Sequence, residues 1–298
     1  MALALPRPIQ LKLEQTLAQS PRWLCEPPLD RAPRIVKALS RGISNFSVLV
    51  KSGQLFVVRI DGISPSSHGL NRQTEWRALE AANRAGLAPR PRYFNPELGS
   101  LVCDYLPPDN SGETDPAKIA QLLRRIHRLP SRHHRLDLAE RIRRYEKQLE
   151  HRGRSLGNDL KWCSGRVSEL VYDISRHPTD AVLCHNDLLQ ANRIYSGGKL
   201  WAVDWEYCAM GSPWYDIAVI VNGDSLSTTD TDILLAAYLG RMPVASERTT
   251  LHQYGCIYRY LELLWYMTLD DPVLGPDAIA GKSVALNTML EGCKSQLT

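Results

Sequence analysis

The chain has 298 residues, 44% of them hydrophobic and 23% charged, with a formal net charge of +4. That balance describes an ordinary globular protein able to bury one large core or two lobes. No run approaches the eighteen or so apolar residues of a membrane span, and the opening MALALPRPIQ lacks the charged start and long apolar stretch of a secretory signal, so a cytoplasmic protein without membrane attachment is expected.

The stretch from Arg132 to Arg154 holds eight Lys/Arg against four Asp/Glu, which by itself matches the net charge. Within it Leu138, Ile142, Tyr145 and Leu149 recur at helical spacing. The basic residues therefore read as the solvated face of an amphipathic helix, and without interleaved aromatics no nucleic-acid partner is expected. The seven cysteines, at 25, 103, 163, 184, 208, 256 and 293, are odd in number and never closely spaced. That pattern suggests neither a disulfide framework nor a cysteine-based zinc site, and buried free thiols are expected.

In chain order, a short helix is expected near 10–19, then strands near 34–39, 45–51 and 54–60, the last two joined by a Ser52-Gly53 turn. A helix over about 70–85 is closed by Gly86, and two further strands follow near 91–95 and 100–105. The pattern changes near Pro107. Beyond LPPDNSGETDP come helices over 116–128, 136–151 and 166–176, a compact strand and loop region over 181–208, and helices to the end. The organisation expected is a strand-rich lobe over 1–106 and a helical lobe over 107–298, with a site in the cleft where they meet.

The chemistry concentrates in VLCHNDLLQANRIYSGGKLWAVDWEYCAMGSPWYD. His185-x-Asp187 is followed by Asn192 and then by Asp204 in an apolar strand context. Residues 193–195 and 200–203 read as strands around a Gly197-Gly198 turn, a pairing that sets Asn192 and Asp204 side by side at its open end. Oxygen donors of this kind suit Mg²⁺, which takes one or two protein oxygens plus substrate phosphates. Asp187 is left to face a substrate.

His-x-Asp-x4-Asn with a later Asp resembles the catalytic core of the aminoglycoside phosphotransferase and choline kinase superfamily, relatives of protein kinases. CHND, VDWEY and the Asp216 of PWYDIA are similar in particular to choline kinases and bacterial thiamine kinases. The resemblance covers roughly 35–225 and implies an α+β, protein-kinase-like two-lobed fold. Its smaller lobe would be an antiparallel sheet with one main helix that binds nucleotide; the larger, mostly helical lobe would carry catalysis and acceptor binding. It further implies Asp187 as catalytic base, His185 as orienter of its loop, Asn192 and Asp204 as Mg²⁺ ligands, and ATP as phosphoryl donor, since positioning and charge neutralisation supply most of the acceleration.

In the first lobe SRGISNFSVLV resembles the family's phosphate-covering turn, with Gly42, Ser44 and Asn45 as its contributors. Arg59 of FVVRIDG stands where kinases carry a strand Lys, and Glu75 is its expected partner; a guanidinium can pair with a carboxylate and hold phosphate bidentately. LVCDYLPP would connect the lobes, with Asp104 and Leu106 as backbone contacts for adenine. The acceptor is expected to be a small-molecule hydroxyl, of choline or thiamine type if Trp205, Glu206, Tyr258 and Trp265 form a cationic pocket. Core packing is the default for the aromatic stripe of YGCIYRYLELLWYM. An aminoglycoside or amino-sugar acceptor, met by Asp270, Asp271 and Asp277, and a catalytically silent nucleotide-binding scaffold are the alternatives. Retention of Asp187, Asn192 and Asp204 disfavours the scaffold.

Overall fold

The computed structural model describes residues 5–41, 45–62, 64–109, 115–154, 156–177, 179–270 and 273–294. Along the chain run α1 (Arg7–Ala18), β1 (Arg34–Arg41), β2 (Asn45–Ser52), β3 (Gln54–Asp61), α2 (Arg72–Arg84), β4 (Pro91–Asn95) and β5 (Ser100–Asp104). Then follow α3 (Pro116–Ile126), α4 (Leu138–His151), α5 (Asn158–Arg176), β6 (Val182–Cys184), β7 (Arg193–Ser196), β8 (Lys199–Ala202), β9 (Ala209–Gly211), α6 (Pro213–Gly223), α7 (Thr228–Leu239), α8 (Ala245–Thr268) and α9 (Pro276–Lys294). No helix among the described residues is long and apolar enough to cross a membrane.

Two compact units result, one of residues 1–112 with 194–206, the other of residues 113–193 with 207–298. The first is built on a five-stranded antiparallel sheet of order β1-β2-β3-β5-β4. β2 and β3 pair without interruption from Asn45 opposite Asp61 to Ser52 opposite Gln54. The turn is tight because Gly53 takes φ +70°, which costs a glycine little. Strand periodicity of two then sorts β3. Phe56, Val58 and Ile60 enter the core with Val48, Val50 and Val102 and with Ile9, Leu13 and Trp23, while Arg59 and Asp61 point to the opposite face.

α2 starts where the Asn71 side chain accepts the Thr74 amide, satisfying one orphan donor of the first turn. Its buried face carries Ala78, Leu79 and Ala82, but also Arg72 and Glu75, three residues apart on one side. The hairpin of β7 and β8 is held to this unit by the Ala202 amide donating to the Leu87 carbonyl (2.8 Å) and the Asp109 amide donating to that of Tyr195 (2.7 Å).

In the second unit α8 is central, with α4, α5, α6 and α9 packed around it. Eleven of its residues are buried, so the aromatic stripe is core in the main. α3, α4, α6 and α7 begin at Asp115, Asp137, Ser212 and Ser227, each accepting a first-turn amide. α5 starts at Asn158 and not near 166. Gly157 caps it without a side chain and Gly165 interrupts its pattern, so packing of Leu160, Cys163, Val167 and Leu170 sustains the first turns. β6 pairs with β9, joining Leu183 to Met210 and Cys184 to Ala209 across the loop that carries His185 to Asp187.

Candidate active site

The first unit contains a buried group of six charged side chains. Arg59 donates to both oxygens of Glu75 (2.5 and 2.9 Å) and to Asp204 (2.7 Å). Arg72 donates to Asp61 (3.0 Å), Glu75 (2.8 Å) and Glu206 (3.0 Å). Two guanidinium groups thus face four carboxylates, a formal excess of two negative charges. The consequence is uneven. Burial alone would raise the Glu75 pKa, but the charge and hydrogen bonds of Arg59 and then Arg72 outweigh it and hold that carboxyl below its usual range. Glu206 is pushed up to about 7, by burial first and by Asp204 second, because Arg59 and Arg72 are already shared.

Asp204 differs from its neighbours. Its side chain is 30% exposed, against 2% for Glu206 and 1% for Glu75. Its backbone is left-handed, φ +59°, an uncommon state for a residue with a Cβ, and this turns the chain directly after β8. Asn45, at the start of β2, is buried, and neither end of its amide has a hydrogen-bond partner among the described residues. A buried polar group in that state is suited to a ligand. Gly42 and Ser44 lie outside the described residues.

In the second unit Asn192 donates through Nδ2 to the Asp187 carboxylate (2.7 Å) and to its carbonyl (2.8 Å). This clamp uses the Asn192 amide nitrogen and not its amide oxygen. The preceding turn depends on Asn186 at φ +61° and on a residue far along the chain. Asp216, in the first turn of α6, accepts the amides of His185 and Asn186 (2.8 Å each) and Nε2 of His127 (3.1 Å); Nδ1 of His127 is 2.7 Å from the Tyr238 hydroxyl. Burial would raise the Asp216 pKa, but His127 and His185 outweigh it and keep the carboxyl low. His185 is fully buried and holds its loop through this backbone bond.

Asp216→Asn tests that anchor. One acceptor oxygen cannot serve three donors, so buried amides would lose partners, and we expect a loss of about 3 kcal/mol in urea unfolding at neutral pH. The sign with pH follows from the lowered folded pKa. Wild type keeps this stabilisation above the unfolded carboxyl pKa near 3.9 and loses it as pH falls through the folded value. The variant has no such carboxyl, so the gap between the two should narrow in acid; a gap that widened would assign Asp216 another role.

Other expected positions are engaged elsewhere. Arg92 grips the Asp104 carboxylate at 2.7 and 2.9 Å, and the Asp104 amide donates to Arg90. Leu106 is half-buried in the segment after β5. Trp205 departs from an acceptor role: its ring is 1% exposed and Nε1 donates to the Ala202 carbonyl, so it is core. Glu206 departs likewise, since it is spent on Arg72 within the charge group. Tyr258 is buried against Gly223, where any Cβ would meet its hydroxyl at 2.8 Å and Leu189 at 2.2 Å. Trp265 is half-buried, edge to face with Tyr266 at 5.1 Å. Asp270 pairs with Arg152 at 3.1 Å, Asp277 is exposed, and Asp271 lies outside the described residues.

Arg72, Asp61 and His127 join these two groups although motif reading did not single them out, and Asp216 was named only as part of PWYDIA. The first two had a signal: charges alternate in RID on a buried strand, and Arg72 and Glu75 share a helix face. For His127 there was none, since 89 residues separate it from Asp216.

Residues 35–249 match the model of the phosphotransferase enzyme family. Protein LicA of Haemophilus influenzae is 26% identical over 240 residues, covering 76% of this chain and 70% of that protein. Among solved structures, choline kinase LicA from Streptococcus pneumoniae aligns with a TM-score of 0.71 at 22% identity, over 87% of this chain and 94% of that one. A LicA in complex with AMP aligns with a TM-score of 0.73 at 20% identity, over 90% and 96%. With the family model spanning well over half of the chain and the kinase-like fold present, this protein belongs to the phosphotransferase enzyme family.

Proposed function

We propose that the chain transfers the γ-phosphoryl group of ATP to the hydroxyl of a small cationic alcohol of choline or thiamine type. The observation that carries the reading is the linkage of Arg59 to Glu75 and Asp204 in one largely buried group whose carboxyl groups outnumber its guanidinium groups by two. Such a deficit, made of carboxylate oxygens with one of them exposed, fits Mg²⁺ with a bound polyphosphate. Asp204 and the amide oxygen of Asn192 are the ligands we assign. When bound, the metal neutralises charge on the β- and γ-phosphates.

The remaining work falls to side chains. Arg59, fixed bidentately by Glu75, presents a positive charge to the phosphates without having to be ordered first, and Asn45 offers an amide donor. Arg72 holds Glu75 and Asp61 in place. Asp187, immobilised by Asn192 and by the Asp216-anchored turn, takes the proton of the attacking hydroxyl. For the acceptor, half-buried Trp265 of α8 is the aromatic we assign, because an aromatic face attracts a quaternary ammonium; the Tyr266 ring already has Lys282 Nζ at 5.5 Å. LicA from Streptococcus pneumoniae is described as a choline kinase, which supports the same acceptor class.

The test is coupled ATP turnover over choline, ethanolamine, thiamine, an aminoglycoside series and amino sugars. Turnover dependent on one of the first three is expected, with loss when Mg²⁺ is chelated. Turnover confined to polycationic aminoglycosides would replace the acceptor assignment, and nucleotide binding without turnover on any acceptor would favour a silent scaffold.

A further inference from the structure

Three residues of the second unit that no part of the phosphotransfer machinery uses converge between α8 and α9. His252 and Cys256 are one helical turn apart on α8, and Cys293 lies in the last turn of α9. The two Sγ atoms are 3.7 Å apart, the Cys256 Sγ is 4.0 Å from Nε2 of His252, and the three ligand atoms all lie within 4.8 Å of one another. Cys256 is 0% and Cys293 4% exposed, and His252 is half-buried.

These distances have a meaning for a tetrahedral ion. With Zn–S bonds of about 2.3 Å, the edge joining two thiolate ligands is about 3.8 Å, and an edge from imidazole nitrogen to sulfur is about 3.6 Å. The sulfur pair already stands at the first spacing; Nε2 needs to close by a few tenths of an ångström on Cys256, and the edge from His252 to Cys293, within 4.8 Å, needs to close by at most about 1.2 Å. Two thiolates with a divalent ion and a neutral imidazole carry no net charge, which is the condition for burial at low cost. A closed disulfide, by contrast, needs the sulfurs at about 2.05 Å.

We propose that His252, Cys256 and Cys293 form a binding site for a thiophilic divalent cation of zinc type, with water as fourth ligand, clasping the end of α9 to α8. Binding releases the two thiol protons, and the imidazole proton that Nε2 now shares with the Met289 carbonyl at 2.9 Å moves to Nδ1. Mg²⁺ does not compete, because a hard ion prefers oxygen. The site was hidden in the sequence because Cys256 and Cys293 are 37 positions apart and only helix packing joins them.

The experiment uses the full chain, reduced and freed of metal, titrated with Co²⁺ and followed by absorption, then back-titrated with Zn²⁺. A near-ultraviolet thiolate-to-cobalt band saturating at one ion per chain is expected, abolished by Zn²⁺ and unaffected by excess Mg²⁺. Cys293→Ser should lose roughly half of the band and bind Co²⁺ at least tenfold more weakly, and Zn²⁺ should raise the Tm of wild type but not of Cys256→Ser/Cys293→Ser. Absence of the band in wild type overturns the proposal. So does a band that persists in the double variant, or an intact mass showing that the two thiols are joined when the protein is first purified. Because the wild-type titration needs no variant to fold, misfolding of a substituted chain cannot rescue or sink the result, and phosphotransfer is not its readout.

Discussion

Asp187→Asn is expected to retain nucleotide binding while lowering turnover by roughly 10²–10⁴-fold, the range associated with loss of a general base. The substitution is nearly isosteric. Asn192 donates to Oδ2 and to the carbonyl of residue 187, and both contacts can persist with an amide oxygen in place of the carboxylate oxygen. The turn itself is set by Asp216 and by the left-handed Asn186, neither of which changes. Structure and donor binding therefore stay, and the lost element is an acceptor for the hydroxyl proton. Equal losses in kcat and kcat/KM, with an unchanged nucleotide Kd by calorimetry, would fit a role confined to the transition state. Turnover within a few-fold of wild type would remove Asp187 from the role of base.

Asp204→Ala is expected to cost on the order of 10³-fold or more in turnover and to weaken nucleotide binding only when Mg²⁺ is present. The charge group predicts that asymmetry. Arg59 keeps both bonds to Glu75 when Asp204 is removed, so its guanidinium remains paired and in place. The excess of carboxyl over guanidinium groups falls from two to one, and the part-exposed carboxylate is lost. Metal-free nucleotide should bind about as before, or slightly better as repulsion of the phosphates falls. Asp204→Asn, which keeps shape and one oxygen, should lie between. Titrating Mg²⁺ at fixed ATP is the measurement, and an unchanged Mg²⁺ midpoint in both variants would move the metal to other ligands.

Much of this site was legible because its parts lie close in sequence or obey a local period. Alternation in FVVRID places Val58 and Ile60 in the core and Arg59 and Asp61 opposite, so a charge on that strand had to find partners on the element that follows. α2 is that element, and Glu75 is on its inward side. The Gly197-Gly198 turn likewise foretold the hairpin, since both glycines take positive φ as a two-residue hairpin turn requires. The acceptor residues were less legible. Trp205 and Glu206 follow Asp204 directly and look like its extension, but a short 3₁₀ turn sends the indole into the core and the carboxylate to Arg72.

What the sequence determined by itself is therefore the strands and main helix of the first unit, their local faces and the motif to which the chemistry is assigned in our proposal, because period, caps and turns act over a few residues. Tertiary structure alone decided which charges share a group and which thiols meet. Residues 194–206 leave the helical unit to join the sheet unit, bringing Asp204 to Arg59 across 145 positions. Asp216 reaches back to the amides of His185 and Asn186, and α9 returns Cys293 to Cys256. No local rule encodes those pairings. They follow from burying apolar surface on α8 and on one face of the sheet, which fixes where each chain segment ends and which polar groups must then satisfy one another.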